Sequence, residues 1–320
     1  MEYRRCGKSG LLLPMITLGL WHNFGTNDSY DNMIEMLCTA FDNGISSFDL
    51  ANNYGPTPGA AEENFGKILK SHFHSHRDAI VITSKAGHTM WDGPYGDWGS
   101  RKHIIASINQ SLKRLNVDYV DIFYTHRPDP NTPLEETMQA LADIVNSGKA
   151  LYIGLSKYPK DLFEKAVGIL KQLGRIPIIY QGRSSILDQS VFPEILPSVS
   201  KNDCGFAAFS PLAQGLLSNK YLNGIPSDSR AASKSQFLNP NEITEHKVSI
   251  LKELDTIAKK RGQSLAQMSI SYLLNDERIT TVVTGASKTS QIIDTIKSIE
   301  NISFTKEELN LINTLSHKTF

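Results

Sequence analysis

Residues 28–55 read DSYDNMIEMLCTAFDNGISSFDLANNYG, and this stretch decides the class of fold. Over Asp28 to Asn43 the apolar residues Met33, Met36, Leu37, Ala40 and Phe41 recur at the spacing of one helical face. Gly44 then stops the helix, because glycine readily takes the left-handed backbone of a C-terminal cap. The apolar run Ile45 to Ala51 follows at once and passes into the polar turn Asn52, Asn53, Tyr54, Gly55. A surface helix, a buried strand and a polar loop in immediate succession make one unit of an alternating α/β protein.

Working outward, the unit repeats. Eight apolar or β-branched runs can be read: Met15 to Leu20, Ile45 to Ala51, Ile80 to Ser84, Tyr119 to Thr125, Ala150 to Leu155, Pro177 to Tyr180, Gly205 to Phe209 and Thr280 to Thr284. Between the third and fourth, Ser100 is placed to cap a helix whose apolar face is Ile104, Ile105, Ile108, Leu112 and Leu115. Strand and helix alternation fits both a doubly wound sheet and a closed barrel. Eight repeats favour the α/β class with a (β/α)8 TIM barrel, and the G-x-G-x-x-G turn of a doubly wound dinucleotide fold is missing from the sequence. The expectation is a single barrel domain over residues 1–320. Ahead of it, Tyr3 to Leu13 with the turn Gly7-Lys8-Ser9-Gly10 reads as an N-terminal β-hairpin suited to plug the barrel floor. The longest insertion, Ser218 to about Glu242, is rich in serine, asparagine, proline and glycine and suits a clasp over a bound molecule.

Lysine plus arginine and aspartate plus glutamate both total 33, so no net field draws the chain to nucleic acid or to an anionic membrane, and any anion site must be local. Cys6, Cys38 and Cys204 are odd in number and lack the paired spacing of a zinc or redox motif. They fit a reducing compartment and point to no metal. The opening run MEYRRCGKSGLLLPMITLGL has too short an apolar stretch to span a bilayer and no cleavage site after it. The expected location is the cytoplasm.

In a barrel the carboxyl ends of the strands share one mouth, where reactive groups gather. Asp49 and Tyr54 follow the second strand, Lys85 ends the third and His126 the fourth. A carboxylate, a phenol, an amine and an imidazole make a complete acid–base set. Reduction of a carbonyl needs hydride at carbon and an acid at oxygen. A tyrosine is weak for that task, with a reference pKa of about 10, and a neighbouring cation such as Lys85 is expected to lower it. An ion pair with Asp49 keeps a buried lysine charged and fixed. His126 either donates a hydrogen bond to the substrate oxygen or hands a proton to Tyr54, and both roles stay open. Taken singly, Lys85 and Asp49 read as a structural ion pair and Tyr54 as a loop tyrosine resting on the rim; their joint appearance at successive strand ends favours chemistry.

These residues resemble the aldo-keto reductase superfamily, whose D-x4-Y pair, lysine and histidine match Asp49, Tyr54, Lys85 and His126. The runs LGLWHNFG, FDLANNYGP, AEENFG, PYGDWGSRK, SLKRLNVDYVDIFYTHR, SGKALYIGLS, GQSLAQM and SPLAQGLLSNKYLNGIPSDSR narrow the likeness to its bacterial L-glyceraldehyde 3-phosphate reductases, related to potassium-channel β subunits. The resemblance implies that NADPH lies across the barrel mouth. Ser156 and Gln181 then hold the carboxamide, with Asp49 and Trp21 nearby and Phe209 stacked on the nicotinamide. Ser210, Pro211, Leu212, Ala213, Gln214 and Gly215 wrap the pyrophosphate, with Lys220 and Arg230 as cations. Gly285, Ser287, Lys288 and Gln291 surround the adenosine end. Lys288 is expected at the 2′-phosphate, which selects NADPH over NADH.

The implied substrate is a small aldehyde, with L-glyceraldehyde 3-phosphate and methylglyoxal among the candidates. Its pocket joins Trp21, Tyr54, Trp91, Tyr95, His126 and Arg127, the last contacting a phosphate or pairing with Asp129 or another rim carboxylate. The chain departs from the family pattern at Lys157, where asparagine or serine is expected, and over Gln181, Gly182, Arg183, Ser184 and Ser185, where Q-P-S-Y-N is expected. Asp294 and Thr295 stand where an acid and an amide are expected near the adenine. A NADPH-binding sensor or regulatory subunit with little turnover is the competing reading, and a homo-oligomer is compatible with the resemblance.

Overall fold

The computed structural model describes residues 1–227, 229, 231–232 and 238–318. The chain opens with an antiparallel hairpin of β1 (Tyr3–Arg5) and β2 (Leu12–Pro14). The barrel follows as β3 (Ile16–Gly19), α1 (Tyr30–Asp42), β4 (Ser47–Asp49), α2 (Ala60–His72), β5 (Val81–Ala86), α3 (Arg101–Leu115), β6 (Val120–Thr125), α4 (Leu134–Asn146), β7 (Ala150–Ser156), α5 (Lys160–Gln172), β8 (Pro177–Arg183), α6 (Ile195–Lys201) and β9 (Gly205–Phe209). Two helices, α7 (Glu245–Lys260) and α8 (Leu265–Leu274), precede β10 (Ile279–Thr284), and α9 (Thr289–Ile296) and α10 (Lys306–His317) finish the chain. Strands β3 to β10 close into a parallel barrel in which β10 pairs with β3.

The helices form where the apolar spacing places them. In α1, Met33, Met36, Leu37 and Ala40 are buried, Ser29 caps the start by accepting from the Asn32 amide, and Gly44 at φ +85° ends it by donating to Phe41 O at 2.9 Å. Burying each of the larger side chains contributes about 1.5–3 kcal/mol. Ser100 caps α3 through the His103 amide, as its position implies. All eight runs lie on barrel strands, with shifted ends. The second shrinks to Ser47–Asp49, and the sixth lengthens to Arg183, because β9 continues the hydrogen-bonded register as far as Arg183 opposite Phe209.

Strand parity fills the barrel and builds its mouth together. Successive side chains alternate between faces. One buried cluster contains Val81, Ile122, Tyr124, Ile179, Ala207 and Val283, which are the inward positions of β5, β6, β8, β9 and β10. Two residues further along the same faces come His126, Gln181 and Phe209, and four beyond Val81 comes Lys85. The interior is packed tightly. A Cβ on Gly154 of β7 would lie 2.3 Å from the Tyr124 ring, so only glycine fits opposite that tyrosine. Thr17 and Thr281 satisfy each other inside the barrel at 2.8 Å.

The hairpin closes the opposite end. Leu13 and Cys6 join the interior cluster, the Cys6 thiol donates to Ile178 O at 3.2 Å, and the Arg4 guanidinium donates to the carbonyls of Leu274, Asp276 and Ile279. The turn is seated on Asp203, whose carbonyl accepts from the Lys8 amide. No helix among the described residues is long and apolar enough to cross a membrane.

Candidate functional site

At the barrel mouth β4 ends on Asp49 and the chain turns through Asn52 and Tyr54. Gly55 at φ +86° makes that turn, and a Cβ there would crowd the Ala61 amide at 2.9 Å. The Asn52 amide donates to Lys85 O, tying the turn to β5. Tyr54 thereby faces Lys85, whose ammonium donates to Asp49 Oδ2 at 2.7 Å, to Leu50 O at 2.6 Å and to the Tyr54 hydroxyl at 3.4 Å. Asp49 Oδ1 accepts from Thr83 Oγ1 and Gln181 Nε2, each at 2.9 Å. The carboxylate is thus fully engaged, and Lys85 is 0% exposed. His126, the residue after β6, brings its ring to 5.8 Å from that of Tyr54. The four strand-end residues therefore converge.

Their electrostatics correct one expectation. Lys85 does not pull the Tyr54 phenol down; burial pushes it well above its ordinary value, and the Asp49 charge adds to the push. The reason is that Lys85 and Asp49 present a neutral pair, whose cation is spent on its own carboxylate. Tyr54 consequently stands protonated. Burial lowers the Lys85 ammonium, opposed by Asp49. Burial, then the charges of Lys85 and Lys157, hold His126 well below the usual histidine range, so its imidazole is neutral. A neutral ring offers an N–H to an oxygen and is not a store of an extra proton.

A groove of about 640 Å³ runs away from Tyr54 across the mouth. Of the residues expected around a dinucleotide, Trp21, Asp49, Phe209, Ser210, Pro211, Leu212, Gln214, Gly215, Lys220, Gly285, Ser287 and Gln291 line it, with Asp294 and Thr295 at the same groove. The segment after β9 is unusual. Ser210, Ala213 and Gln214 have φ of +58°, +45° and +61°, followed by Gly215 at +97°. Such runs curl the backbone into an anion-binding concavity, and strain of this kind gathers at functional sites. Ser156 is fully buried and its hydroxyl has no hydrogen-bond partner, as suits a group that waits for a ligand. These features fit a nicotinamide dinucleotide.

Other expectations move. Ala213 shapes the backbone but its side chain is buried outside the lining. Lys288 is the exposed N-cap of α9 and stands outside the lining. Arg230 lies outside the described residues. Trp91 and Tyr95 do not line the groove: Trp91 packs against His103 with centroids 5.0 Å apart, and Tyr95 is 55% exposed with its carbonyl bonded to the His103 ring. The loop between β5 and α3 is folded onto its own helix. Arg127 takes the carboxylate pairing, with Asp97 in place of Asp129: its guanidinium donates to Asp97 at 2.8 Å and to Gly87 O at 2.7 Å, and stacks 3.6 Å from the Trp98 ring centroid. In the divergent segment, Gly182 is required because a Cβ would meet Phe206 and Tyr180, and Ser184 is buried with no partner for its hydroxyl.

Several groups at the site escaped the sequence reading. Thr83 holds Asp49; it sits two residues before Lys85 on the inward face, and parity was the available signal. Gly19 ends β3 at the groove, where a Cβ would press on Val283 at 3.0 Å. His88 lies 4.4 Å, ring to ring, from His126, and nothing in the local sequence announces that loop contact.

Comparison with known proteins agrees with this geometry. The model of the aldo/keto reductase family matches residues 15–317. The chain is 50% identical over 318 residues to an L-glyceraldehyde 3-phosphate reductase of Escherichia coli O157:H7, covering 98% of this chain and 92% of the relative. Its counterpart in Escherichia coli strain K12 is 49% identical over the same shares. A probable voltage-gated potassium channel subunit beta of Arabidopsis thaliana is 35% identical over 94% of this chain and 92% of its own length.

Proposed function

Because the chain belongs to the aldo/keto reductase family of oxidoreductases, we propose that it reduces small aldehydes to alcohols with NADPH, L-glyceraldehyde 3-phosphate and methylglyoxal being the leading substrates. The observation that carries this reading is the Lys85 ammonium lying between the Asp49 carboxylate and the Tyr54 hydroxyl at the end of the groove. Hydride for the carbonyl carbon would come from NADPH held in that groove. Ser156 and Gln181 are suited to its carboxamide, Phe209 to its ring face, the backbone from Ser210 to Gly215 with Lys220 to its pyrophosphate, and Lys288 to its 2′-phosphate.

Tyr54 delivers the proton. Burial keeps the phenol neutral until a negative oxygen develops beside it, and that oxygen then receives the hydroxyl hydrogen. The phenolate left behind accepts from Lys85 Nζ, at 3.4 Å before reaction, so charge forms next to a cation that is already in place. Asp49 holds that ammonium and prevents it from swinging away. His126, neutral and buried, donates its N–H to the carbonyl oxygen and orients it.

A nucleotide-binding role without rapid turnover is favoured by one observation, the altered segment Gln181 to Ser185 beside the buried Ser156, together with the likeness to the channel subunit. The test is direct. Loss of NADPH absorbance with methylglyoxal, L-glyceraldehyde 3-phosphate and an aromatic aldehyde, run beside NADH, gives fast NADPH-selective oxidation for a reductase. Tight NADPH binding with no aldehyde consumed overturns the enzymatic reading.

A further inference from the structure

Strand β7 ends on the buried Ser156, and the next residue, Lys157, takes φ +62°, a backbone conformation that lysine disfavours. Its amide donates to Gln181 O at 3.2 Å, which fixes the turn against β8. The kink carries the ammonium back over the mouth. Nζ comes to 3.4 Å from His88 Nε2 and 5.7 Å from the Phe209 ring centroid. The His88 ring touches that of His126, which touches that of Tyr54. Lys157 is therefore at the edge of the reacting centre, joined to His126 through His88.

The charges of that edge do not balance. Facing Lys157 are Lys85, paired with Asp49, and Arg127, paired with Asp97, while Arg183 on β8 is taken by Asp188 at 3.3 Å. Among the described residues no carboxylate lies within ion-pair distance of Lys157. Lys85, Arg127 and Lys157 against Asp49 and Asp97 leave one positive charge at the mouth. His88 cannot add to it: burial and the charges of Lys157 and Arg127 lower its imidazole to about 4, so it is neutral and accepts one ammonium hydrogen. Two hydrogens of Lys157 remain for a ligand.

We propose that Lys157 recognises the anionic end of the substrate, making the protein selective for short aldehydes that carry a phosphate or carboxylate; the inference rests on the reductase reading above. Arg127 is already engaged, so the role expected of it passes to Lys157. The same surroundings tune the charge. The neighbouring bulk, then Lys85 and Arg127, lower Lys157 to about 8, although the residue is exposed and solvent screens part of that effect. Lysine is charged below its pKa, so recognition is present at neutral pH and is lost as pH rises through about 8.

The experiment uses the NADPH-loaded protein and its Lys157→Met and Lys157→Arg variants, with D,L-glyceraldehyde 3-phosphate, glyceraldehyde and methylglyoxal as substrates. For Lys157→Met, KM for the phosphorylated aldehyde rises about 10- to 100-fold, the loss of a charge-assisted contact, while KM for the two neutral aldehydes changes far less. In the wild type, KM for the phosphorylated aldehyde climbs between pH 7.5 and 9 by the lysine's titration; Lys157→Arg, charged throughout, abolishes that climb. Calorimetry of glycerol 3-phosphate against glycerol on the NADPH-loaded protein reads the same contact without turnover. An unchanged KM and unchanged glycerol 3-phosphate affinity in Lys157→Met overturn the proposal. If no aldehyde is reduced by any form, the reductase reading fails, and the calorimetry alone then decides for or against an anion site at Lys157.

Discussion

Replacing Asp49 by Asn removes one charge and almost no volume from the barrel mouth, and the consequence can be worked out from Lys85. That ammonium is 0% exposed, and Asp49, 3% exposed, is its ion-pair partner. Breaking a buried pair by removing one member typically costs about 3–5 kcal/mol. Asn can still accept from Thr83, so the loss comes from the stranded cation. Lysine has an escape, which is to give up its proton. From a reference pKa of about 10.4, neutralising it costs about 4.6 kcal/mol at pH 7 and about 1.9 kcal/mol at pH 9, and these set ceilings on the penalty. Burial already lowers the Lys85 pKa, and Asp49→Asn lowers it further. Between that depressed folded value and about 10.4 the unfolded chain binds the extra proton, so stability rises with pH in that window. Urea unfolding of Asp49→Asn beside the wild type at pH 7 and pH 9 should therefore show a penalty that shrinks by up to about 2.7 kcal/mol at the higher pH. A penalty equal at both values would mean that Lys85 is not the stranded group, and the account of the pair would have to be abandoned.

Other outcomes follow from the same geometry. Tyr54→Phe should lose about 10²- to 10⁴-fold in kcat, the usual contribution of a positioned acid, with NADPH affinity by fluorescence within about twofold; retained turnover removes Tyr54 from its role. Gly154→Ala pushes a methyl into the Tyr124 ring and should cost about 1–3 kcal/mol of stability, measured by urea unfolding; a neutral result would show that the barrel interior yields. Lys288→Met should weaken NADPH about two- to fivefold, the worth of one exposed charge, and leave NADH unchanged; equal loss for both would refute 2′-phosphate reading. With His126 held neutral well below its ordinary pKa, kcat/KM for a neutral aldehyde should show no histidine break between about pH 5.5 and 7.5. A break abolished by His126→Asn would contradict that.

The barrel and its four converging residues were legible because both follow from short-range pattern. Helical spacing over Met33, Met36, Leu37 and Ala40 and the cap at Ser100 identify helices, and eight repeats favour closure over a doubly wound sheet. Asp49, Lys85 and His126 were visible as the polar residues that interrupt apolar strands at their carboxyl ends. What stayed hidden depends on contacts made at a distance. The pairing of Arg127 with Asp97 arises from how the loop before α3 folds back, and the same folding withdraws Trp91 and Tyr95 from the groove. The direction of the Tyr54 shift depends on burial and on Lys85 already being claimed by Asp49, neither of which is written in residue order. Lys157 showed itself in sequence only as a departure from the expected residue. Its meaning comes from the positive φ, which turns the side chain toward His88.

The hairpin at the barrel floor carries a consequence for assembly. During synthesis its residues emerge before those of the barrel, yet the groups that hold it come far later: Ile178 O for Cys6, Asp203 O for the Lys8 amide, and the carbonyls of Leu274, Asp276 and Ile279 for Arg4. The hairpin thus has no seat until nearly the whole barrel exists. Contacts spanning more than 170 residues delay folding, since the chain must close long loops before such contacts reward it. The plug is therefore a latch set at the end, and ring closure between β10 and β3 is the event that makes room for it.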